Sequence, residues 1–108
     1  MKLLTKKLAA ALPPLYATEN LPASETMVCG KFFTPDSNWT WLPIEFDGED
    51  IFYGLVVGFE TEFGYFSLSE LKAARGPWGL PIERDKWFEP ALLTDLRECP
   101  AWLKEQEP

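Results

Sequence analysis

The sequence predicts an α+β fold: one domain over residues 1–108, built on an antiparallel meander of about four strands at 27–33, 38–46, 51–59 and 63–66, with short helices at 5–12, 68–75 and 91–96. Three observations point there. The chain has 108 residues, 46% of them hydrophobic and 25% charged, which suits a single core. Residues 32–71 hold eleven of the sixteen aromatics and many β-branched residues, interrupted by turn formers. Helix punctuation appears at Thr5, before that stretch, and at Ser67 with Glu70, at its very end.

Each element has a local reason. Thr5 caps a helix whose Leu4, Leu8, Ala11 and Leu12 form one stripe, and Pro13 ends it because the residue before proline avoids the α region. Met27 to Phe33 is an apolar, strand-like run, closed by the turn formers Thr34-Pro35-Asp36-Ser37-Asn38. Asp47-Gly48 between two β-rich runs is a strong hairpin signal. Regular pairing across it places Thr40, Leu42, Ile44 and Phe46 on one face with Ile51, Tyr53, Leu55, Val57 and Phe59. Trp39, Trp41, Pro43 and Glu45 then share the other face with Asp50, Phe52, Gly54, Val56 and Gly58. Pro43 lacks a backbone donor, so its strand is at an edge or bulged there.

Glu60-Thr61-Glu62 reads as a second turn. Ser67-Leu68-Ser69-Glu70 is a capping box, Gly76 is placed as the residue after the helix and Pro77 as its stop. Ile82 to Lys86 suggests a turn of helix within a loop, Pro90 opens the last short helix, and residues 97–108 are expected to fray.

Charge is segregated. Residues 32–71 contain eight acids and no base, a charge of −8 against −7 for the whole chain. With a pI near 4.5, direct nucleic-acid binding and anionic membranes are disfavoured, because both depend on Lys and Arg. Full DNA mimicry is also disfavoured: a globule of this size is about 34 Å across, a length over which duplex DNA carries about twenty charges. Histidine is absent, which removes Ser-His-Asp and Cys-His pairs and most zinc hydrolases, and no phosphate-binding glycine motif is present. Cys29 and Cys99 read as buried or incidental thiols. The apolar run Leu8 to Leu12 is too short for a signal-peptide core, so a cytoplasmic chain with no membrane span is expected.

Three groups of residues are candidates for function, none of them catalytic. Asp36, Ser37 and Asn38 beside Trp39 and Trp41 have the makeup of a recognition loop, or more simply of an Asx or ST turn. Glu45, Asp47, Glu49 and Asp50 surround a hairpin tip, with Glu45 and Asp50 on one face; a solvated acidic turn is the plain reading and a Mg²⁺ or Ca²⁺ site the alternative. Glu83, Arg84 and Asp85, followed by Lys86, alternate in sign as surface ion pairs do, or supply part of an acidic-plus-lysine nuclease set. No cofactor is expected. Trp39, Trp41, Glu45 and Asp50 are expected to converge on one face.

The runs KFFTPDSNWTW (31–41), EFDGED (45–50), GYFSLSEL (64–71) and RGPWGLPIERD (75–85), with LLTKKL and PPLYATE near the start, resemble the bacterial family called domain of unknown function 2958 (DUF2958), over roughly residues 3–93. The resemblance implies a setting on plasmids and integrative elements, beside phage-defence or antirestriction genes. The function expected first is that of a non-enzymatic interaction protein with a host or element protein as partner. A small-ligand module and a carboxylate- or metal-dependent hydrolase are the alternatives.

Overall fold

A computed structural model describes residues 1–105. Helix α1 (Lys6–Ala11) is followed by a 3₁₀ turn (Ala23–Glu25) and strands β1 (Met27–Val28), β2 (Phe32–Phe33), β3 (Thr40–Phe46), β4 (Ile51–Val57) and β5 (Thr61–Ser67). Helix α2 (Leu68–Ala73), strands β6 (Glu83–Arg84) and β7 (Ala91–Leu92), a second 3₁₀ turn (Leu93–Asp95) and helix α3 (Ala101–Glu105) complete the order. The architecture is antiparallel α+β, as the sequence predicts. A five-stranded sheet runs β5-β4-β3-β2-β6, and β1 and β7 form a separate pair.

The local signals act as expected at three points. Thr5 Oγ1 accepts the Leu8 amide at 3.1 Å and starts α1. Asp47 Oδ1 accepts the amides of Glu49, Asp50 and Ile51 at 2.8, 2.8 and 3.0 Å, and Gly48 takes φ +89°, so the β3–β4 turn is closed by one side chain. These amides hold the Asp47 carboxyl below its ordinary value. Ser67 Oγ accepts the Glu70 amide at 3.0 Å and donates to Glu70 Oε1 at 2.7 Å, which caps α2.

Elsewhere long-range pairing overrides local preference. The strand predicted over 27–33 divides at Cys29-Gly30-Lys31, where the chain passes from the small sheet to the large one and Gly30 lies against Leu8; a Cβ there would meet Leu8 Cδ1 at 2.9 Å. Helix α2 ends at Ala73, with Ala74 extended, so Gly76 is not its terminating residue. Residues 83–84 are not helical but pair with β2. The helix predicted over 91–96 is replaced by β7, paired with β1, and a 3₁₀ turn whose Leu93 amide donates to Thr26 O at 2.8 Å. Leu93 is completely buried, and that burial outweighs a helical preference of a few tenths of a kcal/mol per residue. In the tail expected to fray, Ala101–Glu105 are helical and Leu103 is buried; residues 106–108 lie outside the described region.

The large sheet has a core on each side. On one, Leu3, Leu8 and Leu12 from the N-terminal segment and Leu68 and Leu71 of α2 cover Phe32, Phe46, Phe52 and Phe66. Phe52 is the hub, with ring centroids 4.6 Å from Phe46, 5.3 Å from Phe66 and 5.7 Å from Phe32. On the other side Ala23, Val28, Leu93, Cys99 and Leu103 cover Leu42, Ile44 and Leu55. Cys29 is half-buried, and burial pushes its thiol up; it forms no disulfide with Cys99. Among the described residues, no helix is long and apolar enough to cross a membrane.

Lys31 Nζ meets Glu98 Oε2 at 2.7 Å with both side chains about nine-tenths covered, which ties the crossover between the sheets to the C-terminal segment. Burial, the largest single influence, would raise the Glu98 carboxyl, but its hydrogen bonds and the Lys31 charge together hold it below its ordinary 4.5. A depressed native value contributes stability that is present above the unfolded value and lost as pH falls through the native one. Lys31→Met is therefore expected to lower stability by about 2 kcal/mol at neutral pH, with the deficit shrinking below pH 4.5 in thermal melts across that range.

Candidate functional site

The site begins with Pro43. It has no N–H to give a ladder, and the β3–β4 register slips there: Pro43 faces Gly54, Glu45 faces Tyr53, and Ile44 is the extra residue. Of the edge and the bulge that Pro43 allows, the bulge is what forms. It reverses the parity of everything after it. Glu45 turns to the face of Leu42 and Leu55, and Phe46 turns to the face of Phe52, where it enters the aromatic core.

The bulge creates a row across three strands, Glu45–Tyr53–Tyr65, with Tyr53 and Tyr65 directly paired. Their rings are 5.0 Å apart at 58°, and Phe63 stacks on Tyr53 at 6.0 Å and 9°. The chain between α1 and β1 folds over the row. Glu45 Oε1 accepts the Tyr16 amide and Oε2 the Thr18 amide, each at 2.9 Å, and Oε2 also accepts the Thr18 hydroxyl. Tyr16 is held at φ +72°, the left-handed region that costs a non-glycine residue about 1 kcal/mol or more. Together these elements enclose a half-open cleft of about 560 Å³, floored by Ile44, Leu93 and Leu103. That size is ordinary for a ligand pocket. Glu45 lies at its base, only 3% exposed.

Burial and then the Glu45 charge push the Tyr53 hydroxyl up, and a hydrogen bond with Tyr16 is the first of several influences that raise Tyr65. Tyr53 and Tyr65 therefore stay protonated through neutral and mildly alkaline pH, as donors and as neutral rings. None of Tyr16, Tyr53 and Tyr65 stood out by local sequence pattern, because their assembly depends on the bulge. The available signal was Pro43 itself.

The predicted convergence of Trp39, Trp41, Glu45 and Asp50 does not occur. Glu45 is on the opposite face, and Asp50 is at the far end of the hairpin, eight residues along β4 from the level of Trp39, roughly 26 Å at about 3.3 Å per residue. There Asp50 accepts the Ser69 amide and hydroxyl at 2.8 and 2.9 Å, anchoring the start of α2. Asp47 is occupied by three turn amides and Glu49 is exposed, so the four hairpin acids do not gather around one point. Among the described residues no group of three or more His, Cys, Asp or Glu is placed to hold a metal ion.

Asp36 leaves the recognition loop to bind residues some forty positions on. Its Oδ2 accepts the amides of Trp78 at 2.8 Å and Leu80 at 3.3 Å. Gly76 is required beneath it, since a Cβ there would lie 1.6 Å from Asp36 Oδ1. This clasp projects a tight loop with Trp78 at its tip, Gly79 at φ +84° and Gly76 N donating to Leu80 O. Ser37, Asn38, Trp39 and Asp85 do come together, around a shallow hollow of about 350 Å³ that Lys31 and Arg97 also line. Glu83 and Arg84 serve as the edge strand β6. Arg84 Nη1 donates to the carbonyls of Lys2 and Leu3, and Asp85 Oδ1 accepts the Trp87 amide, so the alternating charges fasten chain segments rather than form ion pairs with one another.

On the α2 face, Trp39 stacks on Trp41 at 5.9 Å and 28°, and Phe59 meets the Trp39 ring edge-on at 5.4 Å. The second turn sits two residues earlier than predicted, at Gly58-Phe59-Glu60, where the Gly58 amide donates to Glu60 O. Glycine at 58 lets the Trp39 ring lie over the turn, because a Cβ there would come within 2.4 Å of the ring and force it to shift. Phe59, placed by sequence parity on the face of Tyr53, is instead 95% exposed at the turn.

The fold and these two surfaces define a small antiparallel α+β protein whose sheet carries a tyrosine cleft on one face and a strip of tryptophan and phenylalanine on the other. The chain belongs to the family described as Protein of unknown function (DUF2958), whose model matches residues 3–98. Comparison with curated proteins and with solved structures gave no match.

Proposed function

We propose that this chain is a non-enzymatic interaction protein that works in the cytoplasm, in the mobile-element and defence setting implied by the family resemblance, and binds a host or element protein through its Trp39–Trp41–Phe59 strip. The observation that carries the reading is Phe59, 95% exposed yet fixed by its edge contact with Trp39. Contiguous exposed apolar surface on a monomeric domain marks an interaction site, here the Phe59 ring continuous with Trp39 and Trp41, and ordered aromatics lose little side-chain entropy on docking. Trp78, 84% exposed on the loop clasped by Asp36, adds a second presented ring. The surface also lacks bases over residues 32–71, which favours a partner with basic or neutral contact residues.

Phe59→Ser with Trp78→Ser changes two exposed positions and leaves both cores intact. Affinity capture from a host lysate, followed by a Kd measurement on the recovered protein, is expected to show binding about 30-fold weaker for the double variant, the size of one hot-spot contribution near 2 kcal/mol. Equal binding by the double variant, or no retained protein at any salt concentration, would overturn the reading.

A further inference from the structure

The cleft on the opposite face has a chemistry of its own. All three tyrosines of the chain line it, with Phe63, and the Tyr53 and Tyr65 rings meet at 58° as two walls of a corner. Its lining includes the carboxylates of Glu45 and, at the rim, Glu19, but no lysine or arginine. Among the described residues, the salt bridges of the chain are those of Glu98 with Lys31 and Arg97, so Glu45 is a buried acid without a cation beside it. Buried charges are ordinarily paired. Peptide and hydroxyl donors account for three of the about four lone-pair positions of a carboxylate, with only one donor on Oε1.

A hard metal ion does not suit this arrangement, because Mg²⁺ and Ca²⁺ need about six or more oxygen ligands and the walls are rings. Anions meet two carboxylates and the negative faces of aromatic rings. An organic cation meets both with advantage: the ring quadrupoles attract an ammonium group, and the carboxylate balances its charge. The apolar floor of Ile44, Leu93 and Leu103 then accommodates the alkyl chain that carries it. We propose that the Tyr16–Tyr53–Tyr65 cleft, with Glu45 at its base, is a binding site for an alkylammonium group, carried either by a small quaternary or primary amine or by a lysine side chain of a partner.

The test is an NMR titration of the full chain with choline, with its uncharged isostere 3,3-dimethyl-1-butanol, and with Nα-acetyl-lysine methylamide, whose ε-ammonium is free. Saturable shifts of the Tyr53 and Tyr65 ring signals are expected with the charged probes, with an upfield shift of the choline methyls and affinity about tenfold above that of the neutral alcohol. Tighter binding of choline assigns the site to a free amine, and tighter binding of the lysine probe assigns it to a partner's side chain; either supports the proposal. Tyr65→Leu, at an exposed position that leaves the cores intact, is expected to weaken the preferred probe about tenfold, and Glu45→Gln to remove the preference for charge. Failure of both charged probes to bind more tightly than the neutral alcohol, or no saturable shift of either ring with any charged probe, would overturn it. Because Phe59 and Trp78 are not in this cleft, the Phe59→Ser/Trp78→Ser variant should bind these probes as the wild type does.

Discussion

Replacing Gly54 by alanine should lower stability by about 3 kcal/mol, a fall in Tm of roughly 12 °C or more for a domain of this size. Gly54 faces Pro43 across the bulge and Gly64 on its other side. A Cβ at 54 would lie 2.0 Å from the carbonyl oxygen of Leu42 and 3.0 Å from Pro43 Cα. Both are backbone atoms in the middle of the sheet, so no rotamer change can relieve the clash, and either β3 moves or the bulge opens. Gly64 is the control. A Cβ there meets nothing within 4 Å, so Gly64→Ala should leave stability unchanged or raise it by about 0.5 kcal/mol, since glycine gains more entropy than alanine on unfolding. Thermal and denaturant melts of the pair separate a steric requirement at 54 from a general preference for glycine in the strands.

Glu45→Ala should be the second most damaging change, at roughly 2–4 kcal/mol. It removes the acceptor for the Tyr16 amide, the Thr18 amide and the Thr18 hydroxyl at once, in a position only 3% exposed. It also releases Tyr16 from φ +72°, a conformation that Tyr16 holds because Glu45 fixes its amide. The loss should be local before it is global. Hydrogen exchange is expected to speed up first at Tyr16 and Thr18, while the amides of β4 remain protected until the sheet unfolds. Uniform acceleration across β4 and residues 16–18 together would show instead that Glu45 supports the whole core.

The parts of this fold that were legible in the sequence are those decided within four or five residues. Thr5, Asp47-Gly48 and Ser67 with Glu70 each satisfy amides a few positions away, and each acts as its residue type implies. Strands β6 and β7 are two residues long and exist because a partner strand is present, so no periodicity marks them. Asp36 reads as a turn or recognition residue until its partners, the amides of Trp78 and Leu80, are known. The site was hidden by one residue of register. Pro43 signalled an edge or a bulge without deciding between them, and strict alternation past it sends Glu45 toward the tryptophans; alternation carried along β4 beyond Val57 sends Phe59 toward the tyrosines, although the turn has already begun at Gly58. Acidity and aromaticity, adjacent in the sequence, are therefore divided by the sheet: the buried acid joins the tyrosines, the hairpin acids cap and close turns, and the tryptophans stand with Phe59.

That division is the central claim, and the surroundings of one side chain test it. In a protein labelled at glutamate, nuclear Overhauser contacts from the Glu45 γ protons are predicted to reach Thr18 and the ring of its cross-strand neighbour Tyr53. Contacts from Glu45 to the rings of Trp41 and Phe52 instead would place it on the other face, and would contradict both the bulge and the cleft built on it.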